Sequence, residues 1–71
     1  MDTVKRMKEL AAERNITVFR LAQICGVPYS TLKNTEQRGG QLAVSTIEQI
    51  CEGLGIPLYM YFYKEGDEMK K

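Results

Sequence analysis

Apolar residues recur three and four apart along this chain, in blocks separated by asparagine, glycine or proline. Val4, Met7, Leu10 and Ala11 form the first stripe, and charged residues fill the other faces. That spacing predicts an amphipathic helix from Asp2 to about Arg14. Asp2 or Thr3 is suited to cap it, and Asn15, which tolerates left-handed backbone, to end it. Ile16 is expected to turn inward. Val18, Leu21, Ala22 and Cys25 repeat the pattern, which predicts a second helix from Thr17 to about Cys25 with Thr17 as N-cap. Gly26 supplies a left-handed stop. Val27 follows as an apolar plug, and Pro28 suits the opening of a new helix, where its missing N–H costs nothing.

The third block differs. From about Tyr29 to Gln37 the only large aliphatic residue is Leu32. Tyr29, Ser30, Lys33, Asn34 and Gln37 fall three and four apart, so they share one polar face. Short helices depend on tertiary packing of an apolar stripe, and this one has a single anchor. Its polar face carries hydroxyls, an amide, a phenol and an ammonium group, which can address base edges and phosphate oxygens. Helix, glycine turn, helix is the arrangement in which a second helix lies in the DNA major groove.

Two adjacent glycines mark Arg38–Gln41 as a loop, with Leu42 and Val44 expected to anchor its far end. Ser45-Thr46-Ile47-Glu48 has the spacing of a capping box. The helix it opens would run to about Leu54, bury Ile47, Ile50, Cys51 and Leu54, and end at Gly55. After Ile56-Pro57, the stretch to Tyr63 is rich in aromatic residues. The proline and the helical layout predict a short helix there rather than a strand. Leu58 and Phe62, four apart, are expected to face the core, leaving Tyr59, Met60, Tyr61 and Tyr63 as a possible dimer surface. Residues 1–64 thus read as one helix-turn-helix domain, and 65–71 as a charged tail expected to fray.

At 71 residues the chain sits near the lower limit for one core without staples. No apolar run has the length of a membrane span and no signal-peptide pattern opens the chain, so a cytoplasmic setting and no membrane partner are expected. Two cysteines and no histidine argue against a metal site. Cys25 and Cys51 read as small buried core residues. With no phosphate-binding glycine loop and no nucleophile beside a base, neither an enzyme nor a cofactor is expected. Net charge is only +1, but residues 1–38 carry +3 and residues 39–71 carry −2. A positive side and an acidic side are compatible with a nucleic-acid face. Lys5, Arg6 and Lys8 read as a solvated face of the first helix.

The stretches VKRMKELAAERNIT, LAQICGVPYSTL and TIEQICEGLGIPLYMYF resemble the lambda-repressor/Cro-like helix-turn-helix family, also called the xenobiotic-response-element type. Leu21-Ala22, Gly26-Val27, Ser30-Thr31-Leu32 and Leu54-Gly55-Ile56 fall where that family has recurring core and turn residues. The resemblance spans Val4 to Tyr63 and implies an all-α, compact five-helix bundle whose second and third helices form the DNA reader. By the same resemblance, base contacts fall on Tyr29, Ser30, Lys33 and Asn34. Contacts to the DNA backbone fall on Thr17, Arg20, Thr31, Arg38 and Gln41. The chain departs from the pattern at Val18, where the family often has an amide, and at Pro28, where it has a serine or threonine cap. It also has Ala11 where many members place an arginine that pairs with the residue at Glu36. Glu36 is therefore expected to find Arg14, Arg38 or water.

Two functions fit. One is a sequence-specific double-stranded DNA-binding transcriptional regulator, a homodimer reading half-sites with centres about 34–36 Å apart. The other is a protein-interaction module, antitoxin-like or anti-repressor, on the same fold without DNA binding. No small-molecule effector is expected in a chain of this length.

Overall fold

The computed structural model describes residues 2–62. Among them are five helices and no strand: α1 (Thr3–Glu13), α2 (Val18–Cys25), α3 (Tyr29–Arg38), α4 (Val44–Leu54) and α5 (Leu58–Phe62). The described residues are all-α as the periodicity predicts, and over Leu58–Phe62 the strand alternative falls away. Tyr63 and the charged tail lie outside the described residues.

Each stop is set by local backbone chemistry. The Asp2 carboxylate caps α1 by accepting from the Lys5 N–H at 3.0 Å, and Asn15 takes φ +57° beyond its end. Thr17 caps α2 through its hydroxyl, which accepts from the Arg20 N–H at 3.0 Å. Gly26, Gly39 and Gly55 close α2, α3 and α4 in left-handed geometry, where a side chain would be strained.

One core joins the five helices. Val4, Met7, Leu10 and Ala11 of α1 meet Leu21, Ala22 and Cys25 of α2, Leu32 of α3, Ile47, Ile50 and Cys51 of α4, and Tyr61 of α5. Val27 and Leu42 close it from the loops, with Ile16, Val18, Leu54 and Ile56 packed against its edge. Both cysteines are buried and unbridged. Burial pushes their thiols above the ordinary range, and at Cys25 the neighbouring Cys51 adds to the effect.

Helices α2 and α4 approach closely where Gly53 faces Cys25. A Cβ on Gly53 would lie 2.6 Å from the Cys25 Cα and Sγ. The Cys25 thiol donates to the Ile50 carbonyl at 3.5 Å across the same contact. Gly53 therefore serves close packing rather than helix termination.

A second tie gathers the ends of the bundle around Thr3. Its hydroxyl donates to Gln41 Oε1 at 2.6 Å and accepts from the Leu42 N–H at 2.8 Å. Its backbone N–H donates to the same Gln41 oxygen at 2.8 Å. Its carbonyl accepts from the Tyr61 hydroxyl at 2.7 Å. Arg6 completes the tie, with Nε donating to the Tyr61 carbonyl at 2.6 Å and Nη2 to the Met60 carbonyl at 2.8 Å.

These ties correct four expectations. Arg6 is buried rather than solvated, because its guanidinium satisfies carbonyls that α5 leaves without helical partners. Lys5 stays exposed. The capping box at Ser45 does not form: α4 starts at Val44, Ala43 is the N-cap, and no side chain caps it. Leu42 is pinned by Thr3, so the chain enters the helix earlier than the motif suggests, and exposed Val44 anchors nothing. Tyr61 is fully buried, whereas Leu58 and Phe62 are exposed by 40% and 42%. The sequence LYMYF is apolar on every side, so spacing alone does not set its phase. The Tyr61 hydroxyl decides it by reaching the Thr3 carbonyl, and Tyr61 is removed from any dimer surface.

Gly53→Ala is expected to destabilise the domain. Overpacking costs about 1–3 kcal/mol, against about 1 kcal/mol of helix propensity gained. Urea unfolding should show a lower midpoint than wild type; an unchanged or raised midpoint would mean that α2 and α4 are not in tight contact.

Candidate nucleic-acid interface

Helix α3 is attached lightly. Leu32 and Thr35 are its only buried residues, at 1% and 6% exposure. Thr35 is buried without loss because its hydroxyl donates to the Thr31 carbonyl one turn back, at 2.9 Å. The turn before α3 is held from outside: Val27 enters the core, and Gln49 of α4 donates to the Gly26 carbonyl at 3.2 Å. At the far end Gly39 and Gly40 donate to the carbonyls of Glu36 and Thr35, both at 3.1 Å.

An ion pair adds a further strut. Lys8 of α1 pairs with Glu36 of α3, and the Lys33 ammonium lies 3.8 Å from the other Glu36 oxygen. Glu36 thus finds neither Arg14 nor Arg38. Lys8 sits one turn before Ala11 on the same face of α1, so the cross-helix pair is present but displaced by a turn. The hydrogen bond from Lys8, with the charges of Lys8 and Lys33, holds the Glu36 carboxyl below the usual carboxylate range.

The opposite face of α3 stands clear. Tyr29, Ser30, Asn34, Gln37 and Arg38 are exposed, and Lys33 is half-buried. Thr17, Arg20 and Thr31 are exposed as well, and Arg20 Nη1 donates to Gln23 Oε1 at 3.3 Å. Thr31 enters the helix's own bonding through its carbonyl. Arg38 belongs to α3 as its last residue rather than to the loop. Gln41 is exposed, but its amide oxygen is engaged by Thr3, so it ties the loop to α1. An open polar cleft between α1 and the end of α3 includes Lys5, Lys8, Glu36 and Gln41 in its lining; none of the four predicted base-contact residues lines it.

Electrostatics favour an anionic neighbour on this side. Residues 14–35 contain no aspartate or glutamate, while Arg14, Arg20 and Lys33 lie within them. The first turns of α2 and α3 carry no acidic residue, and no side chain caps α3. Both helix starts therefore keep the positive partial charge that attracts phosphate.

One residue at this face escaped the periodicity argument. Phe19 lies off the buried stripe of α2 and is 52% exposed. Its ring meets that of Tyr29 edge to face, with centroids 5.2 Å apart and planes at 77°. A large aromatic residue at a solvent-facing position of an amphipathic helix was the signal available in the sequence.

A family model of the Cro/C1-type HTH DNA-binding domain matches residues 6–58. The chain belongs to that family. The match takes in the whole helix-turn-helix unit and ends where α5 begins, and it places this Cro/C1-type chain among DNA-binding regulators. No curated protein and no solved structure matches the chain significantly. No described helix is long and apolar enough to cross a membrane, and the described residues contain no cluster of three or more potential metal ligands.

The ion pair makes a testable statement about pH. Because the folded state depresses the Glu36 pKa, its contribution to stability is present above the ordinary glutamate range and is lost as pH falls through the lower folded midpoint. Carboxyl-detected NMR should place the Glu36 midpoint below that of a free glutamate, and Lys8→Ala should raise it. An unmoved midpoint in Lys8→Ala would show that the pair does not hold α3 in solution.

Proposed function

We propose that this chain is a sequence-specific regulator of double-stranded DNA, with α3 entering the major groove. The observation that carries the reading is the bare polar face of a helix whose one buried aliphatic side chain is Leu32. Asn34 is suited to an adenine edge, Lys33 to guanine or a phosphate, Tyr29 to a thymine methyl and Ser30 to either kind of base. Thr17, Arg20, Thr31 and Arg38 follow the phosphates, with the starts of α2 and α3 beside them. Gln41 serves this set indirectly, by fixing the loop after α3. No cofactor and no small-molecule effector enter this reading.

Two copies would read a two-fold symmetric site. Leu58, Tyr59, Met60 and Phe62 of α5 are exposed together, and such aromatic and methionine-rich patches suit self-association. With Tyr61 in the core, the dimer surface consists of these four residues, with Tyr63 beyond the described part of the chain.

Selection from random duplexes, followed by fluorescence anisotropy against salt, tests the proposal. The chain should retain a subset of duplexes, and its affinity should fall steeply as salt rises. Lys33→Ala combined with Asn34→Ala should keep the fold and some salt-sensitive binding but lose the preference for the selected site. A chain that ignores every duplex at low salt and instead captures a protein partner would be an interaction module.

A further inference from the structure

The exposed aromatic pair at the joint of α2 and α3 is not explained by packing. Phe19 and Tyr29 sit edge to face at 5.2 Å, yet 52% and 36% of their surfaces remain in water. Exposing a large apolar ring is unfavourable unless something covers it. The pair bridges the two helices of the helix-turn-helix unit, and Thr17, Arg20 and Ser30, close to the two rings in sequence, are exposed as well. Ile24, the other exposed large apolar residue of α2, lies about 140° round the helix from Phe19 and does not extend the patch.

We infer that Phe19 is a specificity-determining residue: with Tyr29 it forms an apolar wall that packs against the 5-methyl group of a thymine in the major groove. The inference rests on the DNA reading above and adds a residue from α2 to the contact set on α3. Three observations favour this occupant. The patch is two rings wide, suited to a methyl group and far smaller than the roughly 800 Å² that a stable protein interface covers on each partner. It is continuous with Tyr29 on the bare face of α3. The stretch of chain that carries both rings, from position 14 to 35, has no aspartate or glutamate, so it adds no negative charge of its own beside a phosphate backbone. In the major groove the thymine methyl is the apolar group that an aromatic wall can recognise.

The test uses the full chain and its selected duplex, with each thymine replaced in turn by uracil. That change removes one methyl group and leaves every hydrogen-bonding atom in place. Wild type should bind about fourfold more weakly when one particular thymine of either half-site is changed, the worth of burying one methyl-sized group. Phe19→Ala, whose thermal unfolding is monitored in parallel, should bind the thymine and uracil duplexes equally at that position while still discriminating at the others. Should Phe19→Ala fail to fold, Phe19→Gln takes its place with the same requirement. A variant that keeps the fourfold methyl preference would overturn the inference, as would a wild type that selects a site but is indifferent to every thymine-to-uracil change. A wild type that selects no duplex would overturn the DNA reading itself, and this inference with it.

Discussion

Leu32 is the single aliphatic side chain that seats α3 on the bundle, and most of the architecture compensates for that economy. A ten-residue helix with one apolar anchor does not hold its own orientation. Its position is fixed from both ends by other elements. Gly26 and Val27 set the entry, and Gln49 of α4 holds the turn. Lys8 of α1 braces the far end through Glu36, and Gly39 ends the helix in left-handed geometry. This division of labour lets the remaining faces of α3 carry polar groups that a core helix has no place for.

Seating α3 in this way requires a firm platform. Helices α2 and α4 supply it by meeting at Gly53, where backbone approaches backbone without a side chain between them. The start of α1 closes the other end. Thr3 bonds the loop after α3 and the last helix together, while Arg6 takes up carbonyls at the end of α5. In a domain this small the hydrophobic core is limited, so buried and fully partnered polar ties bear a larger share of the specification of geometry. Among the described residues that are not exposed, no buried side-chain nitrogen or oxygen is left without a hydrogen-bond partner.

Much of this was legible in the chain. The stripes of α1, α2 and α4, the left-handed stops at Asn15, Gly26 and Gly55, and the bare face of α3 all follow from spacing and residue type. What was not legible depends on contacts between distant residues. Helix α5 has apolar residues on every side, so its phase waits on the Tyr61 hydroxyl meeting Thr3. Arg6 and Lys8 look alike in sequence, yet one fills the end of α5 and the other pairs with Glu36. Ser45 has the right neighbours for a cap, but Thr3 holds Leu42 and starts the helix sooner. Phe19 lies off the buried stripe of α2, so periodicity carries no signal for its place beside Tyr29.

The account stands on α3 being the surface that meets DNA. NMR titration of the full chain with its selected duplex measures this most directly. The largest shifts are expected at Tyr29, Ser30, Lys33 and Asn34 and at the start of α2, with α5 and the outer face of α4 little changed by the DNA itself. Shifts confined to α5 or the outer face of α1, with α3 unmoved, would contradict the account.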